Sequence, residues 1–575
     1  MINTLQGICR VLPIVAGLVG AEACESLNVS DLNDPDRKRV LTDAPSVEAL
    51  AAGALNSWFN VTQAMTPDGA LTTMADNYTA SWNDYQMRLY SSEPRVAWQN
   101  DPVAAARVEV EAYWYGYYAA LSSANDVLTA IHTLGLFKGN ADSAMVENLA
   151  VLLQGLAVGQ LALNYDRGFV VDYDADPSAL TLGTRQEMRD WALAKLDTAI
   201  AMAHANTYTW PAAWTGGAGC GGGEPRAHVV APCTNVEVAK IASTMAARFI
   251  AYFPRASSEA QTTAEWDRVV SYAANGISSG TPFDFGFKGD GCVTFCDELR
   301  RWADDITLMR TDTRIAHILD PATQQTPWPD PSGNPQPNSP DKRLGDGTYD
   351  RSPSLCAAGY TVCPATAKAG TDYAYSPIII FPPARGQYHQ SNIGQIRYDY
   401  ISANDPTGGF YGFSPVVLAA ENDLIWAEGW IRGSAPDLAG AAALINRTRV
   451  TRGGLPPAAA GDGVAGLLAE LEYEQDVELA GDNAAPYYNR RRIDGLQPRT
   501  PHQMPIPAKE LGVLGLPLYT FGGDGPAFDV VGGVIGAGAQ STQGTRYDVS
   551  QLMRQAPRIW EQMFAERMAR IKRVR

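Results

Sequence analysis

The chain has 575 residues, of which 46% are hydrophobic and 19% charged, a composition that excludes a disordered protein and allows a large core. Its 45 basic and 62 acidic side chains give a formal charge of −17, which opposes contact with phosphate backbones and excludes nucleic acid as the main partner. The 25 tyrosines and 13 tryptophans are expected mostly in the core.

The first segment has the pattern of an export signal. Arg10 precedes the apolar run VLPIVAGLVGA at 11–21, which is too short to span a bilayer and is typical of a signal-peptide core. Cys24 follows at the expected cleavage point. These residues predict a signal peptide at 1–23, lipidation of Cys24 as in bacterial lipoproteins, and a tether at 24–44. Secretion without a lipid is the alternative.

The N-terminal half of the remaining chain, 45–276, has the periodicity of long helices. Apolar or small side chains recur every three or four residues through 102–131 and 143–165, which predicts two amphipathic helices. In the second helix, Gly155 and Gly159 would let a neighbouring helix approach closely. Further helices are predicted at 45–60, after the capping sequence TDAPS, at 184–205, after Thr184, and at 235–253 and 264–276. These lengths favour stacked hairpins of the tetratricopeptide type, although the tetratricopeptide consensus is not present.

The segment 74–101, between the helices predicted at 45–60 and 102–131, is rich in aromatic and hydrogen-bonding side chains. Aromatic faces stack on the C–H faces of sugar rings, while Asn and Arg donate to hydroxyl groups, and the same chemistry suits a peptide. The residues predicted to bind a ligand are Asn77, Tyr78, Trp82, Tyr85, Arg88 and Trp98. Weaker candidates of the same kind lie at 207–215, with Trp210 and Trp214, and at 385–400. The alternative is that these aromatics only pack the loops onto the helices.

From 277 to 413 the chain is dominated by Pro, Gly, Asn and Asp, which predicts a long loop-rich insertion with a short strand at 376–383. Such insertions usually carry functional surface. Besides Cys9 and Cys24, the remaining cysteines form three local pairs that we expect to be disulfides: Cys220 with Cys233, Cys292 with Cys296, and Cys356 with Cys363. Metal binding by CVTFC at 292–296 is the rival interpretation, but no further ligands follow at zinc spacing, so no metal is expected.

The last part of the chain, 414–575, returns to helical periodicity, with helices predicted at 414–432, 437–448 and 464–480. A final amphipathic helix is predicted at the C-terminus, where its basic end either caps the core or touches lipid. Glu421 and Glu428 share a face of the first helix, as the acid and base of an all-helical glycosidase would, although such pairs are common on helices.

Motifs of other enzyme classes are lacking. No GxSxG, HExxH or P-loop sequence occurs, and the six histidines are scattered. The GxGxxG spacing of Gly217, Gly219 and Gly222 does not follow a strand pattern, so it does not indicate a dinucleotide site. The sequence therefore favours a non-enzymatic protein without a cofactor.

The stretch PHQMPIPAKEL at 501–511 brings His502 close to Lys509 and Glu510 in sequence. Its prolines impose an extended backbone, so these three side chains are expected to diverge. Met504 and Ile506 then become apolar anchors, and the stretch is predicted to be a structural seam against the helices.

Three stretches of the C-terminal third resemble the SusD/RagB family of outer-membrane nutrient-binding lipoproteins. They are the ENDLIWAEGW helix with its NRTRVTRGGLP continuation at 421–456, the helix and turn at 467–492, and HQMPIPAKEL at 502–511. Cys24 with LNVSDLNDP and the segment at 161–172 are similar to corresponding parts of the family. Gln475 and Asp476 depart from it, since arginines are usual at these positions.

This resemblance implies a mostly α fold, with tetratricopeptide-like hairpins cradling a loop-rich face within a single SusD-like domain at 45–575. It also implies a lipid anchor on the outer surface of the outer membrane, a TonB-dependent barrel of the SusC type as partner, and capture of a glycan or peptide without catalysis. The alternatives are a secreted all-helical glycoside hydrolase using Glu421 or Glu428, and a helical scaffold that binds only protein.

Overall fold

The computed structural model describes residues 40–80, 83–137, 142–217, 219–222, 230–303, 309–327, 334–347, 370–375, 389–398, 400–403 and 410–523. Several sequence predictions lie outside these residues. They are the signal peptide at 1–23, Cys24, most of the tether, the strand at 376–383, the disulfide between Cys356 and Cys363, and the C-terminal helix.

Helices make up most of the described chain, and short strands lie between them. The helices are α1 (Ala44–Thr62), α2 (Met65–Met74), α3 (Met87–Ser91), α4 (Val108–Leu128), α5 (Ser143–Asn164), α6 (Arg185–Ala205), α7 (Asn235–Ala251), α8 (Thr263–Ala273), α9 (Glu298–Ala303), α10 (Thr313–Leu319), α11 (Tyr400–Ala403), α12 (Ala419–Arg432), α13 (Leu438–Arg449), α14 (Gly463–Val477), α15 (Ala485–Arg491) and α16 (Ala508–Val513). The strands are β1 (Tyr78–Ala80), β2 (Arg167–Phe169), β3 (Leu182–Thr184), β4 (Phe285–Asp290), β5 (Met309–Thr311), β6 (Tyr373–Tyr375), β7 (Ile393–Gln395) and β8 (Tyr411–Val417).

The long helices pack in an almost sequential order. Helix α1 packs on α4, α4 on α5, α5 on α6, α6 on α7 and α7 on α8, and α8 then meets α12, which contacts α13 and α14. The described strands form four separate antiparallel pairs, β1 with β5, β2 with β3, β4 with β8 and β6 with β7. The fold is therefore the mostly α arrangement of stacked helical hairpins that was predicted.

Helix starts follow the capping residues in the sequence. Thr184, Thr234 and Thr262 each accept a bond from the first helical turn, and a glutamate three residues later bonds back, which completes a capping box. Asp43 caps α1 through the backbone N–H of Ser46, as the TDAPS sequence predicted. The helix expected at 102–131 is confirmed as α4, which is extended at its two ends by short turns of other helix types.

Both glycines of α5 lie at close helix contacts. A Cβ added at Gly155 would come 2.9 Å from Cδ2 of Leu196 on α6, and one at Gly159 would overlap the ring of Phe249 on α7. This confirms the predicted close approach. Among the described helices, α5 is long and apolar enough to cross a membrane, but 94% of its apolar window is buried, so it serves as the central core helix.

The helix expected at 414–432 begins later than the sequence indicated. Residues up to Val417 form β8, which pairs with β4, and α12 begins only at Ala419. The backbone N–H of Ala419 donates to Asp284 Oδ1 at 2.7 Å, so a carboxylate from the loop before β4 caps the helix start. Local periodicity did not reveal this boundary, because the partner strand lies more than a hundred residues earlier.

The loop-rich region, 277–413, is fastened to α14 by a buried ion network. Arg343 has no exposed surface, and its guanidinium donates to Asp341, Glu474 and Glu478 at 2.7–3.0 Å. Arg397 and Arg452 also reach Glu478, at 3.0 and 2.8 Å. Burial would raise the pKa of Glu478, but the charges of these arginines outweigh it and lower that pKa.

The 501–511 stretch forms the predicted seam. The backbone of Met504 pairs with the end of α5. The Met504 N–H donates to Asn164 O at 2.7 Å, and the Asp166 N–H donates to Met504 O at 3.2 Å. Met504 and Ile506 are buried, as expected of anchors. Glu510 accepts from the Tyr115 hydroxyl, and Lys509 pairs with Glu111, so the polar side chains do not converge on His502.

Candidate functional site

The first half of the predicted binding segment, 74–101, packs into a small hydrophobic cluster at the edge of the loop-rich region. Strand β1 pairs with β5, with Tyr78 opposite Thr311 and Ala80 opposite Met309. The cluster beneath this pair contains Met65, Tyr78, Ala80, Tyr85, Met87, Leu299, Ala303 and Met309. Trp302 packs against the cluster and is only half-buried.

Helix α9 holds one face inside and leaves Trp302 half-buried between the cluster and Phe410. Arg300 is fully buried and donates to Asp297 and to Gln63 Oε1, at 2.9 and 2.7 Å. Its neighbours Arg301 and Trp302 are therefore on the more open side of the helix. The Arg301 guanidinium carbon lies 4.7 Å from the Trp302 ring centroid, a cation–π distance. We call Arg301 and Trp302 the Trp302 rim.

Two of the predicted ligand-binding residues tie β1 to the scaffold. The Asn77 amide donates to the backbone O of Asp476 at 3.0 Å, and the Tyr78 hydroxyl donates to Gln395 Oε1. Both side chains are almost fully buried. In this arrangement they hold the sheet from beneath, and their contact with a ligand remains a prediction.

The other predicted residues lie at differing depths. Tyr85 is buried in the cluster at a positive φ of 50°, and Arg88 is half-buried on α3. Trp98 is 2% exposed, its ring centroid lies 4.6 Å from that of Tyr90 in a tilted contact, and its indole N–H donates to Gln503 O at 2.9 Å. The structure thus places Tyr78 and Tyr85 together and Trp98 apart from them, beside the C-terminal seam. Trp82 is outside the described residues.

An ion-pair cluster stabilises the chain just before β1. Arg314 on α10 makes a bidentate pair with Asp476 at 2.6 and 2.8 Å and donates to Asp76 O at 3.1 Å. Burial, together with the nearby Asp76 carboxylate, raises the pKa of Asp312. Asp476, where the family that the sequence resembles usually has an arginine, is paired here with an arginine from the loop-rich region.

The weaker candidate segments lie mainly in the interior. Trp210 and Trp214 are 3% and 5% exposed, and their ring centroids are 6.0 Å apart. Within the described part of 385–400, Arg397 joins the Glu478 ion network and Tyr398 is fully buried. Trp210, Arg397 and Tyr398 serve packing in the structure, while Trp214 also lines a cleft beside α1.

The two helix carboxylates proposed for a glycosidase are enclosed in ion pairs. Glu421 has no exposed surface and bonds Arg248 and the Tyr252 hydroxyl. Glu428 is 2% exposed and bonds Arg492 and Arg432. Burial would raise the pKa of Glu428, but the two arginines outweigh it and lower that pKa. Neither carboxylate can reach a glycosidic oxygen in this geometry.

Two of the three expected disulfides are present. Cys220 is bonded to Cys233, and Cys292 is bonded to Cys296. The third expected disulfide, between Cys356 and Cys363, lies outside the described residues and stays a prediction from the sequence.

The CVTFC stretch is a disulfide loop, as the sequence favoured. Within the described chain, no group of three or more acidic, histidine or cysteine side chains is arranged to hold a metal ion.

Sequence reasoning missed the Trp302 rim. The signal was the stretch ELRRWADD, a tryptophan next to two arginines inside a loop-rich region. It was not recognised because charged flanks are common around surface tryptophans, and only the burial of Arg300 shows which way the ring faces.

No protein-family model matches the sequence, and no curated protein matches it either. The structure is similar to a SusD-like carbohydrate-binding protein from Bacteroides fragilis NCTC 9343, at 14% identity over 78% of this chain and 86% of that chain, with a TM-score of 0.52. It is also similar to a SusD superfamily protein from Bacteroides vulgatus ATCC 8482, at 13% identity over 79% of this chain and 89% of that chain, with a TM-score of 0.50. The chain therefore has the fold of the SusD superfamily.

Proposed function

We propose that this protein is a SusD/RagB-type surface lipoprotein that binds a nutrient oligosaccharide, or a peptide, and delivers it to a TonB-dependent outer-membrane transporter. The observation that carries this proposal is a SusD-like fold with a half-buried tryptophan–arginine rim at its loop-rich region. The similar protein from Bacteroides fragilis is described as carbohydrate-binding.

The Trp302 rim has the chemistry that an oligosaccharide requires. An indole ring offers an apolar face to the C–H groups of a pyranose, and the adjacent guanidinium donates to hydroxyl oxygens. The rim is supported by a packed cluster and by the buried Arg300, so the ring is held in place before a ligand arrives. This limits the entropy lost on binding.

The binding proposal is tested by affinity gel electrophoresis across a panel of neutral polysaccharides. Trp302→Ala is expected to weaken retention by about 0.5–1.5 kcal/mol, the contribution of a stacked aromatic. Trp191→Ala is the matched control, because Trp191 on α6 is also half-buried and carries a cation, Lys195, at 4.9 Å. Equal retention of the two variants on every retained polysaccharide would contradict a binding role for Trp302.

The predicted residues of 74–101 belong to the same test. Trp82→Ala is expected to reduce retention without loss of stability if that ring faces a ligand. Trp98→Ala is expected to lower the melting temperature instead, because Trp98 is buried between Tyr90 and the seam.

Partnership with a transporter is tested by pull-down from solubilised outer membrane. The tagged protein is expected to recover a large β-barrel, and mass spectrometry of that barrel then identifies the TonB-dependent partner. Recovery of the protein alone under conditions that retain other membrane complexes would contradict delivery to a barrel.

The glycosidase alternative predicts release of reducing sugar from the retained polysaccharides. We expect none, because Glu421 and Glu428 are enclosed by arginines. The protein-only scaffold predicts no retention on any glycan or peptide matrix. Retention that depends on Trp302 or Trp82 would rule that scaffold out.

A further inference from the structure

Away from the Trp302 rim, a cleft lies between α1, the turn at 212–215 and the Cys292–Cys296 disulfide loop. Its volume is about 390 Å³. It is lined by Ala52, Gly53, Asn56, Ser57, Asn60, Ala213, Trp214, Val293, Thr294 and Phe295. It shares no lining residue with the Trp302 rim or with the predicted site at 74–101.

The cleft wall formed by the disulfide loop is rigidly held. Asn56 and Asn60 on α1 both donate to the backbone O of Thr294, at 2.7 and 2.9 Å. The Asp290 carboxylate accepts the backbone N–H groups of Val293, Thr294 and Phe295 at 2.9–3.1 Å. The disulfide closes the same loop. A wall fixed in this way is preorganised for a ligand, since little freedom remains to be lost.

An apolar side chain stands exposed at the lip of the cleft. Val293, at the tip of the disulfide loop, is one of the lining residues and is 83% exposed. Trp214 and Phe295 lie deeper in the lining, at 5% and 4% exposed. Apolar side chains around a few polar groups are a common feature of ligand sites.

The lining is uncharged although 19% of the chain is charged. It offers the hydroxyls of Ser57 and Thr294, the second N–H of the Asn56 amide, and otherwise apolar surface, while the Asn60 amide is fully used within the wall. An ion would find no counter-charge here, while a purely apolar ligand would leave the polar groups poorly used. The volume falls within the range of about 300–1,000 Å³ typical of small-molecule sites.

We propose that this cleft is a second binding site, for one or two rings of a neutral carbohydrate. The Asn56 amide and the hydroxyls of Ser57 and Thr294 would bond sugar hydroxyl groups, and Val293 would cover the C–H face of the ring. The site goes beyond the function proposed above, because it does not require the Trp302 rim.

Gly53 gives a direct way to fill the cleft. It lies in the middle of α1, and a Cβ there meets no atom within 4 Å, so Gly53→Leu places a side chain in the cleft without an internal clash. Leucine is also a better helix former than glycine. Gly512→Leu on α16 is the matched control, since Gly512 is a helical glycine with equally open surroundings far along the chain.

Binding of maltose and of cellobiose is measured by isothermal titration calorimetry and saturation-transfer NMR. The wild type, Gly512→Leu and Trp302→Ala are expected to bind at least one of these disaccharides, and Gly53→Leu at least about tenfold more weakly, a change of about 1.4 kcal/mol. Unchanged melting temperatures confirm that the leucine variants fold.

Three results would each overturn the second site. The wild type could show no saturable binding of either disaccharide, Gly53→Leu could bind as tightly as the wild type, or Gly512→Leu could lose as much affinity as Gly53→Leu. Binding of an uncharged capped tripeptide in place of both sugars would overturn it as well. Failure of the Trp302 site proposed above is seen separately, as equal polysaccharide retention by Trp302→Ala and Trp191→Ala in the affinity gels.

Discussion

Arg343 is charged, fully buried and surrounded by three carboxylates. A buried ion pair is costly to desolvate, so its net gain in stability is small when all partners are present. Removing one partner is a different matter, because the remaining charges stay buried without compensation. Asp341 lies in the loop-rich region and Glu474 in α14, so this arginine is one of the contacts that attach the region to the scaffold.

Arg343→Met is expected to lower the free energy of unfolding by about 3–5 kcal/mol, because it leaves Asp341 and Glu474 buried without their arginine, while Glu478 keeps Arg397 and Arg452. Urea unfolding followed by circular dichroism measures this change. Lys195→Met is the control: its pair with Asp172 is partly exposed, so its loss is expected to cost at most about 1 kcal/mol. Equal costs for the two variants would show that the Arg343 network does not stabilise the fold.

His502 makes a pH-dependent contribution to stability. Burial, together with the charge of Arg491, lowers its pKa from 6.5 to about 4. Between these values the unfolded chain binds a proton that the folded chain does not, so stability falls as the pH falls from 6.5 towards 4. Above pH 6.5 both states are neutral at this residue, and the contribution vanishes.

His502→Gln is expected to remove this loss. Between about pH 7.5 and about pH 5, the variant should lose up to about 2 kcal/mol less stability than the wild type. Melting temperatures of both proteins across that range provide the measurement. Parallel pH profiles for the two proteins would show that the imidazole is not held neutral in the fold.

At the scale of elements, the scaffold depends on how closely its central helix is approached. Helix α5 contacts α4 and α6 along its length and also meets α7. Gly159 is the point at which the Phe249 ring of α7 lies directly on the α5 backbone. Glycine disfavours a helix by about 0.5–1 kcal/mol relative to alanine, so this contact is gained at the expense of local propensity.

Gly159→Ala is expected to destabilise the protein by about 1–3 kcal/mol, because the new methyl group overlaps the Phe249 ring in a filled core. Gly53→Ala should have the opposite sign, with a gain of about 0.5–1 kcal/mol, since Gly53 is an exposed helical residue with open space. Thermal unfolding of both variants checks the pair of signs. Stabilisation by Gly159→Ala would mean that α7 lies further from α5.

At the scale of the whole molecule, the helical hairpins form one continuous layer, and the loop-rich region is attached to it. That attachment uses the ion network at α14, the β4–β8 pair and the disulfide loop bonded to α1. Such a body needs a means of staying at the cell surface if it is to bind nutrients there. The sequence predicts that a lipid on Cys24 provides it.

Cys24→Ser is expected to move the protein from the membrane fraction to the soluble fraction, because a lipid cannot be attached to serine. Cell fractionation and labelling with a radioactive fatty acid measure the change. Cys9→Ser is the control, since Cys9 lies within the predicted signal peptide and its loss should leave anchoring intact. A membrane-bound Cys24→Ser protein would contradict lipidation at this residue.

The sequence by itself determined the features that depend on neighbouring residues. Helix periodicity, the Thr184 cap, the α5 glycines, the two described disulfides and the proline-bound seam were all predicted from short stretches, because their physical causes lie within a few residues or one helix turn. Motifs in 421–511 were sufficient to predict the SusD-like fold.

The tertiary structure decided the features that depend on residues far apart in the chain. The start of α12 depends on β4 and Asp284, and the exposure of Trp302 depends on the burial of Arg300 against Gln63. The sequence predicted Trp98 as a ligand-binding residue, yet Gln503 and Phe521 cover it. Burial is a property of long-range contacts, so an aromatic-rich segment alone could not show which of its rings face solvent.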